Sequence, residues 1–228
     1  IVAEGSLGNL HIRGYTHCIA AISYAVRHQS RPARAQAAAA LEAIAGRDMP
    51  ELQAIGEGIL AWCDALTDGG IARMKAALAA QPRQSTLIFR FAQMALLAEA
   101  CLSADDALSA QEVVDAALEE ARRTGARFYE ADLVRVKGEV ALRRAHAGDG
   151  DAAREAETLL REAIDIARQL GMRLWELRAT ASMARLWMAQ GKRREARAAL
   201  ETVYATFTEG FATPDLVEAA ALLRELGE

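Results

Sequence analysis

Ala121-Arg122-Arg123-Thr124-Gly125-Ala126-Arg127-Phe128-Tyr129-Glu130 returns as Ala167-Arg168-Gln169-Leu170-Gly171-Met172-Arg173-Leu174-Trp175-Glu176, 46 positions further along. A repeat of that period, built of helix-forming residues, predicts stacked helix pairs, because one pair cannot bury its apolar face alone. Such a stack presents a long concave face, which points to recognition and relay as the class of function without naming a ligand.

The flanking sequence carries the same punctuation. Pro32, Pro50 and Pro214 fall where helices begin, and Pro82 follows one that has ended. Thr213 reads as an N-cap, with Asp215 placed to favour the positive end of the helix dipole. Gly46, Gly125, Gly171, Gly191 and Gly210 each follow a periodic apolar stretch, as C-terminal caps do. Between these marks eleven helices are expected, over 9–28, 30–45, 49–66, 69–81, 85–102, 104–124, 127–146, 150–170, 172–190, 192–208 and 213–227. They form five antiparallel pairs and a last helix: repeats 9–46, 49–82, 85–125, 126–171 and 172–210, then a capping helix 213–227, all in one domain over 1–228. The expected fold is therefore all-α, a right-handed solenoid of antiparallel helix pairs.

The helix near 127–146 has two apolar rows, Tyr129, Leu133, Val136 and Val140 beside Ala131, Val134, Gly138 and Ala141, so it is packed from two directions. The second helices match too: Glu155-Ala156 and Leu160 correspond to Glu195-Ala196 and Leu200 at an offset of 40, which places a six-residue insertion in the turn at 146–151. Leu7, Leu10 and Ile12 are expected to expose a face that meets a further helix.

Composition narrows the function. The chain has 228 residues, 52 % hydrophobic, ample for a core without disulfides or metals. A net charge of −4 from interspersed opposite charges, with no basic stripe, argues against nucleic acid as partner. No apolar run is long enough to cross a bilayer, so no membrane partner is expected. Cys18, Cys63 and Cys101 are far apart and each lies in a hydrophobic helical stretch, which favours a reducing, cytoplasmic location. The chain starts at Ile1 rather than Met, which reads as a piece of a longer protein.

Small residues at close-approach points, Leu97-Ala98-Glu99-Ala100-Cys101 and Lys137-Gly138-Glu139, followed by Ala and Leu in the second helices, resemble tetratricopeptide repeats. More specifically, Arg127-Phe128-Tyr129-Glu130-Ala131-Asp132, Trp175-Glu176-Leu177-Arg178-Ala179, Ala184-Arg185-Leu186-Trp187 and Phe207-Thr208-Glu209-Gly210-Phe211-Ala212-Thr213-Pro214-Asp215-Leu216 resemble one group. It is the C-terminal helical repeat region of large bacterial signalling proteins, in which a signal-transducing ATPase accompanies a nucleotide cyclase or transcription-regulator domain. The resemblance covers 125–226 best and fades towards the N-terminus. It implies a sensor or protein-contact arm of a multidomain switch. Asp64, in Trp62-Cys63-Asp64, departs from the repeat consensus by standing near a usually apolar position.

No phosphate-binding loop is present, since Gly5-Ser6-Leu7-Gly8 and Gly56-Glu57-Gly58 lack its spacing and its Lys-Ser/Thr. His11, His17 and Cys18 are the one cluster of metal-type residues, but neighbours 17 and 18 diverge on a helix, so an ordinary half-buried helix is the simpler reading. His28 and His146 sit near helix ends, where they favour the dipole. Trp62, Trp175 and Trp187 read as core. No catalytic residue, metal or cofactor is expected, and the segment is read as non-enzymatic.

The residue after each small close-packing residue should face the groove, which gives Glu99, Glu139 and Arg185, with Asp132, Arg135 and Arg178 on the same face. This mixed-charge set either grips a charged peptide or forms salt bridges between neighbouring repeats. Reversing Arg135 and Arg185 together is expected to abolish ligand response and leave melting unchanged. Expected partners are a protein or peptide, the parent's own ATPase domain included, or a small-molecule inducer. The alternatives are a homo-oligomeric scaffold without a separate ligand and, further off, a small enzyme with a site in the groove.

Overall fold

The computed structural model describes residues 2–65, 67, 69–82, 85–146 and 150–227, with side chains for all of these except 2–9 and 146. Eleven helices are found among them and no strand: α1 (Val2–Val26), α2 (Ser30–Ala43), α3 (Pro50–Cys63), α4 (Gly70–Ala80), α5 (Leu87–Ser103), α6 (Ala107–Thr124), α7 (Glu130–His146), α8 (Ala152–Gln169), α9 (Arg173–Ala189), α10 (Arg193–Tyr204) and α11 (Pro214–Gly227). The expected boundaries shift by three residues or more in five places. α1 begins at Val2 rather than 9, α3 ends at Cys63 rather than 66, α6 begins at Ala107 rather than 104, α7 begins at Glu130 rather than 127, and α10 ends at Tyr204 rather than 208, where the chain turns and Phe211 packs against Tyr204 at 6.0 Å. Residues 147–149 of the insertion at 146–151 lie outside the described residues, as do the side chains of Leu7 and His146.

The chain divides into two compact units, Ile1–Asp105 and Asp106–Glu228. The dividing point falls between α5 and α6, inside the stretch read as the repeat 85–125. In the first unit each helix packs on the next, and α1 and α3 also reach α5. Ala33, Ala37 and Ala40 make a fully buried edge on α2, so the alanine-rich run is a packing surface. Gly56 lets α3 approach α2, since a Cβ there would meet Leu41 Cγ at 2.8 Å. Asp64 lies past the end of α3, accepting from Arg34 and from Arg73 at 3.1 Å, which removes it from the core position that the repeat register suggested.

In the second unit sequential helices pack on one another, and α9 also packs on both α7 and α11. The two quoted copies fold alike at their turns, with Gly125 at φ 71° and Gly171 at φ 67°, a conformation that costs a side-chain-bearing residue. At Gly138 the backbones of α7 and α8 come close: a Cβ there would stand 3.0 Å from Leu160 Cγ. Leu160 and its counterpart Leu200 are both fully buried. Thr213 does not cap α11 with its side chain as expected; its hydroxyl donates back to the Gly210 carbonyl at 2.7 Å.

Candidate functional site

The site grows from one position of the repeat. Asp132 on α7 and Arg178 on α9 occupy equivalent places, 46 residues apart, and Asp215 lies in the first turn of α11. Arg178 grips Asp215 with two parallel hydrogen bonds, Nε to Oδ1 at 2.6 Å and Nη2 to Oδ2 at 3.0 Å. Its Nη1 lies 4.0 Å from Asp132 Oδ2. Asp132 Oδ1 accepts from Arg135 Nε at 2.7 Å, and Arg135 Nη1 donates to Glu139 Oε1 at 2.8 Å. The same Glu139 oxygen accepts from Ser182 Oγ on α9 at 2.6 Å. A chain of charges thus runs Asp215, Arg178, Asp132, Arg135, Glu139 across three helices.

Asp132, Arg135, Arg178, Ser182 and Asp215 are all buried, and Glu139 is the most open member at 30 % exposure of its side chain. Charges withdrawn from water this far must be paired and hydrogen-bonded to be tolerated. An aromatic wall completes the enclosure: Arg178 sits over the Trp175 ring at 5.1 Å, and Trp175 packs on Tyr129, its counterpart in the repeat, at 5.6 Å. Burial among these neighbours, with Asp132 close by, pushes the Tyr129 hydroxyl well above its usual range and keeps it neutral.

Of the six groove residues expected from sequence, four (Asp132, Arg135, Glu139 and Arg178) come together in this network. Arg185 stands apart, paired with Glu218 near the surface. Glu99 belongs to the first unit, where it meets His28, two residues past the end of α1, at 3.1 Å. Two members were missed by sequence reasoning. Asp215 had been given to the helix dipole, and it stands five places after its turn glycine Gly210, against seven for Asp132 and Arg178, so the repeat register does not mark it. Ser182 had no signal at all.

The geometry decides what the buried charges do. Both acidic oxygens of Asp215 and two nitrogens of Arg178 are already hydrogen-bonded to each other, so an incoming peptide carboxylate would have to displace Asp215. These residues tie neighbouring helices together, the second of the two roles open at the sequence level. The expectation that Arg135 can be reversed without cost to melting is overturned, because the reversed charge would lie buried between Asp132 and Glu139.

Among the described residues, pockets also open elsewhere. One of about 450 Å³ lies beside the turn at Gly125, floored by Leu118, Ala121, Val134 and Leu159 and rimmed by Arg122, Arg127, Glu130, Lys137 and Glu162. Its cations are occupied locally: Arg127 bonds Glu130 at 2.6 Å, Lys137 bonds Asp115 at 2.7 Å and Arg122 bonds Glu119 at 2.8 Å. Another, about 610 Å³, is an open hollow in the first unit lined by Thr67, Ile71, Lys75 and Ser103 among others. The metal-type residues of α1 part ways. His17 Nδ1 meets Gln36 Oε1 at 2.8 Å, His11 stacks on Tyr15 at 6.2 Å, and the buried Cys18 Sγ lies 3.6 Å from the Leu52 carbonyl. Burial, with help from Glu51, pushes the Cys18 thiol up to about 12, so it is not a thiolate at neutral pH.

No family model matches the chain, and no curated protein matches it.

Proposed function

We propose that the chain is a non-catalytic recognition scaffold of tetratricopeptide-like helix pairs. In this reading it binds a protein, peptide or small molecule and relays that binding to attached domains, as the resemblance to bacterial signalling ATPases implies. The observation that supports it is the meeting of repeat-equivalent residues. Tyr129 packs on Trp175, and Asp132 lies beside Arg178, so in the second unit the period of the sequence is also a period of packing. The buried charge network then sets how α7, α9 and α11 lie against one another, and in this reading a ligand meets the more exposed Arg185 in competition with Glu218.

The relay would work by differential binding. A ligand that prefers one arrangement of these helices shifts their population, whereas equal affinity for both shifts nothing. A thermal-shift screen of the chain against peptides, nucleotides and metabolites tests this, because a ligand of the folded state raises the melting temperature by mass action. The expected result is a hit that Arg185→Glu removes while the unliganded melting temperature stays within a degree or two of the parent's. Silence across the screen would count against the sensor.

A further inference from the structure

α1 carries two packing edges. Gly14, Cys18, Ala21 and Ala25 are buried, on a helix that packs against α2, α3 and α5. Ile12, Thr16, Ile19 and Ser23 form an exposed, uncharged stripe, with Ile12 64 % and Ile19 43 % exposed. Their spacing alternates four and three, the seam of a coiled coil, which places them on one helical face. One exposed isoleucine would need no explanation. Two at heptad spacing, joined by small uncharged residues and opposed to the buried edge, make a surface shaped for another helix.

The charge around that seam says what kind of helix. From Gly5 to Leu41 the sequence contains no Asp or Glu, while it holds Arg13, Arg27, Arg31 and Arg34. Among the described residues only Arg34 of these four meets a carboxylate, that of Asp64. Arg13 and Arg27 flank the seam on one side. Arg27 is held in place there by its own helix, Nε donating to the Ser23 carbonyl at 3.0 Å and the guanidinium lying 5.4 Å from the Tyr24 ring centre. In the second unit, by contrast, Arg122, Arg127, Arg144, Arg154 and Arg161 each have a carboxylate partner.

We propose that the outer face of α1 docks an amphipathic helix of another protein, one whose apolar seam is flanked by Glu or Asp. Its apolar residues cover Ile12 and Ile19, and its carboxylates supply the partners that Arg13 and Arg27 lack. A second copy of α1 on this face would bring arginines against arginines. A lipid surface calls for a broad apolar face with large side chains, and this seam is two isoleucines wide of hydroxyl neighbours. The surface is distinct from the groove margin of the second unit, so its test does not depend on the sensor reading.

The probe is a labelled synthetic helix of about three heptads, leucine at the seam and glutamate beside it. It is titrated with the 228-residue chain by fluorescence anisotropy at low and at high salt. Binding is expected, weakened about tenfold or more by Ile19→Glu and by the Arg13→Glu, Arg27→Glu pair, and reduced by salt. Ile19→Ser serves as the milder variant, and circular dichroism melting checks that each variant is folded. The proposal is overturned if the probe does not bind, if it binds parent and variants alike, or if a probe with lysine in place of glutamate binds equally. A dimer in sedimentation that Ile19→Glu dissolves would assign the face to a second copy instead, and co-sedimentation with anionic vesicles in place of probe binding would assign it to lipid.

Discussion

Asp132 and Arg178, equivalent residues 46 positions apart, meet across α7 and α9, with Arg178 Nη1 4.0 Å from Asp132 Oδ2. Asp215 of α11 takes the other side of the same guanidinium. The charges that meet from α7, α9 and α11 thus alternate acid, base, acid, where a run of one sign would repel at every step.

Arg178 is the member with most to lose. Arg178→Met leaves Asp132 and Asp215 buried with one cation between them, and should destabilise the chain by about 3–5 kcal/mol. Adding Asp215→Leu removes the orphaned charge and should recover part of that loss. Urea unfolding of both variants measures it. Equal losses in the single and the double variant would mean that packing on Trp175, rather than charge, is what Arg178 supplies.

Thr180 offers the reverse case. It is buried on α9, yet its hydroxyl has no hydrogen-bond partner among the described residues. A buried donor left unmade is a cost, so Thr180→Val, which keeps the shape, should be neutral or stabilise by about 1 kcal/mol. A loss of stability in the same urea experiment would reveal a partner for that hydroxyl.

Much of the fold was legible because its signals are local. Proline, glycine and 3.6-residue periodicity marked eleven helices, and the errors lie at helix ends. α10 stops at Tyr204, short of the expected 208, and its ring meets Phe211 beyond the turn. The site was legible where the repeat is regular. Asp132 and Arg178 share a register, and the face they lie on brought Arg135 and Glu139 with them. Asp215 was hidden because it stands off the register of Asp132 and Arg178, five rather than seven places after its turn glycine. Ser182 was hidden because a serine on a buried face carries no charge pattern. What sequence could not reveal was occupancy: whether a charged residue in a groove waits for a ligand or is already bound to its neighbour is a matter of distances.

Gly138 and Gly125 separate two reasons for glycine. In mid-helix, alanine is normally favoured over glycine by about 1 kcal/mol. At Gly138 the added methyl would meet Leu160 Cγ at 3.0 Å, in a fully buried contact that has little room to yield. Gly138→Ala should therefore cost about 1–2 kcal/mol net, a sign opposite to propensity. Gly125→Ala meets nothing within 4 Å, and its cost of about 1 kcal/mol comes from the positive φ alone. Replacing Leu160 with Ala should rescue the Gly138 variant in a double-mutant cycle and leave the Gly125 variant unrescued.

Glu157 ties α8 to α9 in a way that acid should undo. Partial burial opposes its ionisation, but the Trp187 indole, donating at 3.4 Å, with Lys192 at 3.9 Å and Arg161 at 2.8 Å, outweighs that and holds the carboxyl below its ordinary value. A carboxylate whose folded pKa is depressed adds stability above its unfolded pKa, near 4.3, and loses it as pH falls through the folded value. Glu157→Gln should accordingly be slightly less stable than the parent at pH 7, by under about 1 kcal/mol because the surrounding charges are partly solvated. That difference should shrink as pH falls below the unfolded pKa and vanish once pH lies below the folded one, since other carboxylates are common to both chains and cancel. Thermal melts of the pair at several pH values give the difference directly, and the same series in high salt should flatten it. The absence of a gap at every pH would mean that Glu157 contributes through its hydrogen bond to the Trp187 indole, which glutamine retains, and not through its charge.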